Sequence, residues 1–174
     1  MRCPLCGCDN LDGADACETC NGSLAGESPV NLRRTPLEDR IARNPLSVLK
    51  PRRPVTVAPS DTVGEVIALL ARHNIGCALV VQDEKLLGIF TERDALMKIG
   101  DSLDTTGQRP VRDFMTPAPE TLLLTDPIAF ALNRMAVGGY RHIPLEQDGK
   151  PAGIISVRDV LAYLARNFPE FLRE

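Results

Sequence analysis

The sequence predicts an α/β (α+β) chain in which one β-α-β-β-α unit occurs twice, behind a small cysteine-rich head. Three observations predict it. Gly88-Ile-Phe-Thr-Glu-Arg-Asp94 returns as Gly153-Ile-Ile-Ser-Val-Arg-Asp159, and a shift of 65 positions superposes the copies without a gap from Pro54 onward. The same shift carries Pro54, Thr56, Asp61, Gln82, Asp83, Lys85 and Leu96 onto Pro119, Thr121, Asp126, Gln147, Asp148, Lys150 and Leu161. Within each copy, short apolar runs of β type flank a segment of helical period. Ahead of both, Cys3-Pro-Leu-Cys6 and Cys17-Glu-Thr-Cys20 form two Cys-x-x-Cys pairs.

A length of 174 residues with 44% apolar content suits one compact domain or a small tandem. Trp is absent and aromatic residues are few, so stacking is not the main binding mode. There is no apolar run long enough for a membrane span, and the start lacks an apolar signal core. The expectation is a cytoplasmic protein. The net charge of −3 is unevenly distributed. Residues 1–26 carry Arg2 against four carboxylates, net −3, whereas residues 32–53 carry seven cations against Glu38 and Asp39, net +5.

The head comes first. About 20 residues cannot bury a useful core. Four thiolates from Cys3, Cys6, Cys17 and Cys20 surround one ion tetrahedrally, which suits zinc; iron fits the same geometry. Metal binding then supplies folding energy of order 10 kcal/mol. Two rival readings are disulfides, disfavoured in a reducing compartment, and a redox dithiol, which comes once and beside a βαβ pattern. Cys8 reads as a bystander thiol able to displace Cys6. The pattern resembles a short zinc ribbon. A tetrathiolate centre adds about −2 to an already acidic head, which repels phosphates, so the expected role is protein contact or stiffening of a dimer.

A neck follows. Asn21 to Pro29 reads as a flexible linker. Thr35-Pro36-Leu37-Glu38 has the form of a capped helix start, and Asn44-Pro45 ends that helix. In copy one, Val55 to Val57 is a short strand. Ser60 and Asp61 are positioned to cap a helix over 62–73 with Val63, Val66, Ile67 and Leu70 on its apolar side. Cys77–Val81 and Leu86–Phe90 form a hairpin around Gln82-Asp-Glu-Lys85, and Thr91 opens another helix. Copy two predicts strands at 121–124, 142–145 and 152–155, and helices at 127–136 and 157–166.

Both copies resemble cystathionine-β-synthase (CBS) domains. The residues that carry the resemblance are Pro54-Val-Thr-Val57, the two Gly-to-Asp motifs, Met115-Thr-Pro117 and Tyr140-Arg-His-Ile-Pro144. The resemblance implies two repeats packed about a pseudo-twofold axis with two clefts, a homodimer, and binding of AMP, ADP, ATP or S-adenosylmethionine. It divides the chain into a head over 1–26, a linker with a short helix over 27–45, and CBS units over 46–108 and 109–174. No catalytic set appears, and Cys77 lies in an apolar run as a core residue. The expected protein is therefore a non-enzymatic regulator that signals to a protein partner.

A strand ending in Thr91 or Ser156 and opening a helix offers a hydroxyl and free N–H groups to phosphate. Asp94 or Asp159, three residues on, can accept from both ribose hydroxyls. Equally, Thr-x-x-Asp and Ser-x-x-Asp are near-capping boxes needed only to start a helix. The resemblance assigns Ser156, Arg158 and Asp159 to one cleft, together with Arg53, Val55, Ala58, Ile75 and Gly76. It assigns Thr91, Arg93 and Asp94 to the other, with Ala118, Glu120, Leu123, Tyr140, Arg141 and His142. Glu120 opposes a phosphate, and Ile75-Gly-Cys-Ala-Leu79 lacks the basic pair Arg141-His142, so the two clefts are expected to be unequal. Two further functions stay open: a nucleic-acid-linked regulator using the ribbon and the basic neck at Arg33, Arg34, Arg40 and Arg43, and a ligand-free protein scaffold.

Overall fold

The computed structural model describes residues 2–3, 5–11, 14, 16–22, 24 and 36–168. The proposed cap Thr35, the neck cations Arg33 and Arg34, and most of the predicted linker lie outside the described residues. The chain divides into two compact units. One comprises Met1–Pro51, Leu123–His142 and Ile155–Glu174; the other comprises Arg52–Leu122 and Ile143–Ile154.

In the second unit, β1 (Thr56–Val57) runs parallel to β2 (Cys77–Gln82), which pairs antiparallel with β3 (Lys85–Thr91) and through it with β4 (Thr116–Pro117). The hairpin turn places Asp83 and Glu84 at positive φ, 50° and 62°. Its counterpart between β6 (His142–Gln147) and β7 (Lys150–Ser156) does so with Asp148 and Gly149. Such turns match the strand twist. These two strands and β5 (Leu122–Leu123) form a three-stranded sheet in the order β5-β6-β7. Helix α2 (Val63–His73) buries Val63, Val66 and Leu70 against Ala78, Val80 and Phe90, as its period requires. Cys77, Leu79 and Ile89 form a second cluster on the other face of that sheet, with Ile154 against it.

The cap of α2 corrects one expectation. Thr62 caps it, accepting from Glu65 N at 3.3 Å, while Glu65 Oε2 accepts from Thr62 N at 3.0 Å. Neither Ser60 nor Asp61 does. Asp61 instead accepts from Ala58 N at 2.8 Å, and its repeat counterpart Asp126 accepts from Leu123 N at 2.8 Å. A carboxylate bracing the loop ahead of the helix is thus what the repeat preserves, and the Thr62-x-x-Glu65 box does the capping in copy one alone. In copy two the residue before α5 (Ile128–Gly138) is Pro127, which has no side-chain cap to offer.

The first unit holds the head, α1 (Pro36–Arg43), α5 and α6 (Val157–Asn167). Helix α1 stops at Asn44-Pro45 as predicted. The Asn44 carbonyl then accepts from Ile128 N at 3.0 Å, and its amide donates to Tyr163 Oη at 2.7 Å. Arg40 of the neck stacks on the Phe168 ring at 5.2 Å. Among the described residues, no helix is long and apolar enough to cross a membrane.

Candidate functional site

The head places Cys3, Cys6, Cys17 and Cys20 with all four sulfurs within 4.8 Å of one another. Cys3 and Cys20 sulfurs are 3.7 Å apart, and those of Cys6 and Cys17 are 3.5 Å apart. Four sulfurs placed tetrahedrally about 2.3 Å from a central ion stand about 3.8 Å from each other, so the donor set fits a tetrathiolate metal.

Two equivalent knuckles build it, related by a shift of 14 positions. Cys3 N donates to Cys8 O and Gly7 N to Cys3 O; Cys17 N donates to Gly22 O and Asn21 N to Cys17 O. Gly7 and Asn21 both take positive φ, 76° and 55°, which glycine and asparagine tolerate best. Backbone amides reach the sulfurs, Leu5 N lying 3.4 Å from Cys3 Sγ. Burial pushes the Cys17 thiol up, but amides of Cys20 and Thr19 overcome it and bring the group down to about 6. Burial pushes Cys6 and Cys20 upward.

Cys8 stands outside the four-sulfur cluster. Its knuckle counterpart is Gly22, so the position needs only its carbonyl. The first unit also ties the head to α5: Arg134 donates to Cys6 O at 2.8 Å and lies 4.0 Å from Cys8 Sγ. Arg2 stacks on Phe130 at 5.9 Å, and a Cβ at Gly7 would meet the same ring. Nothing local in the sequence announces these contacts, because Cys6 and Arg134 are 128 positions apart.

The two predicted strand-to-helix corners form as the repeat requires. Glu92 N donates to Gly76 O at 3.0 Å, and Val157 N donates to Arg141 O at 3.1 Å, so each corner is pinned in the same place. Asp94 Oδ2 accepts from Thr91 N at 2.9 Å and Oγ1 at 2.6 Å; Asp159 Oδ2 accepts from Ser156 N and Oγ, both at 2.7 Å. The capping role is therefore real in both copies.

The second oxygens differ. Asp94 Oδ1 lies 2.7 Å from Lys98 Nζ and accepts from Thr116 Oγ1 at 3.2 Å, and Asp94 is only 8% exposed. Asp159 is half-buried, and among the described residues its Oδ1 accepts no hydrogen bond. Asp94 closes one short turn, α3 (Glu92–Asp94), and the chain then makes a π-helical turn over Ala95–Ile99, whereas α6 continues as a regular helix.

Burial pushes the Asp94 carboxyl up, yet hydrogen bonds from Lys98 and Thr91 and the Lys98 charge outweigh it and hold the group below its ordinary value. A depressed native value contributes stability that is fully present above the unfolded value of about 3.9 and is lost as pH falls through the native one. Asp94→Asn should therefore flatten the acid limb of the stability curve below pH of about 4, read by denaturant unfolding across pH.

The other expected site residues are placed as follows. Arg53, Ala58, Ala118, Glu120, Leu123, Arg141 and Arg158 are exposed; Val55, Ile75, Gly76, Tyr140 and His142 are half-buried. The backbones of Ala58 and Leu123 are used in their Asp-braced turns, since the two residues also accept from Asp61 N and Asp126 N, leaving their side chains to offer contact. Ala118 takes a φ of 43° while its N–H donates to Leu87 O. The side chains of Arg141 and Arg158 make no hydrogen bond or ion pair among the described residues. Burial, and then the charge of Glu92, push the Cys77 thiol up to about 12, which suits an inert core residue.

The CBS domain family matches residues 48–101 and 111–166, more than half of the chain. A CBS domain-containing protein of Arabidopsis thaliana is 33% identical over 127 residues, spanning 72% of this chain but only 23% of its own length. The chain therefore corresponds to about a quarter of that plant protein. Among solved structures, a CBS-domain containing protein from Agrobacterium tumefaciens aligns with a TM-score of 0.63 at 34% identity, covering 68% of this chain and 94% of that one. A CBS domain protein from Pyrobaculum aerophilum, solved in complex with AMP, aligns with a TM-score of 0.60 at 29% identity, covering 70% and 98%.

Proposed function

We infer the function from one premise: the chain belongs to the CBS domain family. We propose that it is a non-catalytic regulator that binds an adenosine nucleotide, of the AMP, ADP, ATP or S-adenosylmethionine class, through its CBS pair. The observation that carries this is the Ser156–Asp159 corner, where one carboxylate oxygen starts the helix and the other stays open. Asp159 is the acceptor for the ribose hydroxyls; the Ser156 hydroxyl and the start of α6 face the phosphate, which Arg158 neutralises. The AMP complex of the Pyrobaculum protein supports the ligand class.

The head is a structural zinc site held by Cys3, Cys6, Cys17 and Cys20; zinc supplies the folding energy that so short a segment lacks. Nucleotide binding reaches a partner protein through differential affinity for two states of the CBS pair. Leu96 and Leu161 occupy equivalent repeat positions and are 75% and 58% exposed, which supports association with a second copy. The basic neck offers less to nucleic acid than its charge suggests, because Arg40 is stacked on Phe168. Native mass spectrometry of the purified full chain tests the reading: one metal ion per chain and an added mass of an adenosine compound, released by denaturation, are expected. Metal-free protein that takes up none of the four compounds overturns it.

A further inference from the structure

The two corners carry the same motif but not the same chemistry. In copy one, the carboxylate is enclosed by its own neighbours. Lys98, one helical turn beyond Asp94, brings its ammonium to 2.7 Å from Oδ1 and is fixed there by Phe114 O at 2.7 Å and Met115 O at 3.3 Å. Thr116 Oγ1 reaches the same oxygen at 3.2 Å. Oδ2 is taken twice by Thr91, and Asp94 N donates back to Thr91 Oγ1 at 3.1 Å. Four donor contacts on one carboxylate at 8% exposure fill its lone-pair positions and leave none directed at solvent.

A ribose would have to displace a charged, hydrogen-bonded partner from a buried carboxylate, although the Lys98 side chain itself is 41% exposed. The repeat removes this closure from copy two. The position equivalent to Lys98 is Tyr163, whose hydroxyl accepts from Asn44 instead. Asp159 is consequently held on one oxygen only.

We propose that Lys98 and Thr116 close the copy-one corner by occupying Asp94, so that the chain takes a single adenosine nucleotide, at the Asp159 corner. The closed corner is a permanent internal mimic of an occupied one, its ammonium standing where a ligand's donors would stand. This rests on the nucleotide reading given above and fixes its stoichiometry. It also assigns Lys98 as the residue that decides whether one site or two are available.

Equilibrium dialysis of the metal-loaded full chain against labelled AMP tests it. The wild type should bind one AMP per chain, Asp94→Asn should also bind one with unchanged affinity, and Asp159→Ala should bind none. The double variant Lys98→Met, Thr116→Val should bind two. Two AMP per wild-type chain, or one AMP retained by Asp159→Ala, overturns the closure while leaving nucleotide binding intact, and neither result depends on the double variant folding. A folded double variant that still binds one also overturns it. No AMP, ADP, ATP or S-adenosylmethionine bound by the wild type removes the underlying reading instead.

Discussion

Cys17→Ser should release the metal and unfold the head. Among the described residues, the core of that segment is built on the cluster cysteines, with Leu24 beside them. The apparent binding energy of a structural tetrathiolate zinc, about 10 kcal/mol or more, is also its folding energy. Losing one of four ligands removes most of it. The knuckle hydrogen bonds at Cys3, Gly7, Cys17 and Asn21 should then lose protection, which hydrogen exchange reads directly. Arg134 should lose its fixed acceptor at Cys6 O. Cys8→Ser should do none of this, because Cys8 contributes a carbonyl to its knuckle and no sulfur to the cluster. One zinc per wild-type chain, none in Cys17→Ser and one in Cys8→Ser are the expected metal contents. Full metal content in Cys17→Ser would mean that the head is held another way.

The second large effect belongs to the ligand. Asp159→Ala should weaken adenosine nucleotide binding by about 100-fold or more, because two hydrogen bonds to an ionised acceptor contribute about 1.5–3 kcal/mol each. Its cost to folding should be far smaller, about 1 kcal/mol, the usual value of a helix-start interaction. The contrast separates the two roles that one motif allows. A carboxylate that only starts α6 would change stability and leave affinity alone. Asp159→Asn sharpens the test: it keeps the size and one acceptor oxygen, but loses the charge that strengthens bonds to the ribose.

Much of this was written in the sequence. The 65-residue repeat located both hairpins, both corners and the paired loop carboxylates Asp61 and Asp126, because a duplicated unit must repeat its local hydrogen bonds. Cysteine spacing located the four-sulfur cluster for the same local reason. The cap of α2 was ambiguous in the sequence, because Thr62 and Glu65 form a Thr-x-x-Glu box while Ser60 and Asp61, nearer the loop, are capping residues too. What stayed hidden depends on long-range packing. Lys98 is one turn from Asp94, but only the return of the chain at Phe114, Met115 and Thr116 fixes it there. The hint was the failure of the repeat at that position, lysine in one copy and tyrosine in the other. The docking of the head by Arg134 and Phe130 gave no such hint.

The central claim is that a duplicated strand-to-helix corner has been put to use in holding a nucleotide. Calorimetric titration of the metal-loaded full chain with AMP, ADP, ATP and S-adenosylmethionine, beside the same titration of Asp159→Ala, tests it most directly. Saturable heat from at least one of the four with the wild type, absent from the folded variant, is the predicted result. Equal affinity in both proteins, or no heat from any of the four with the wild type, would contradict it.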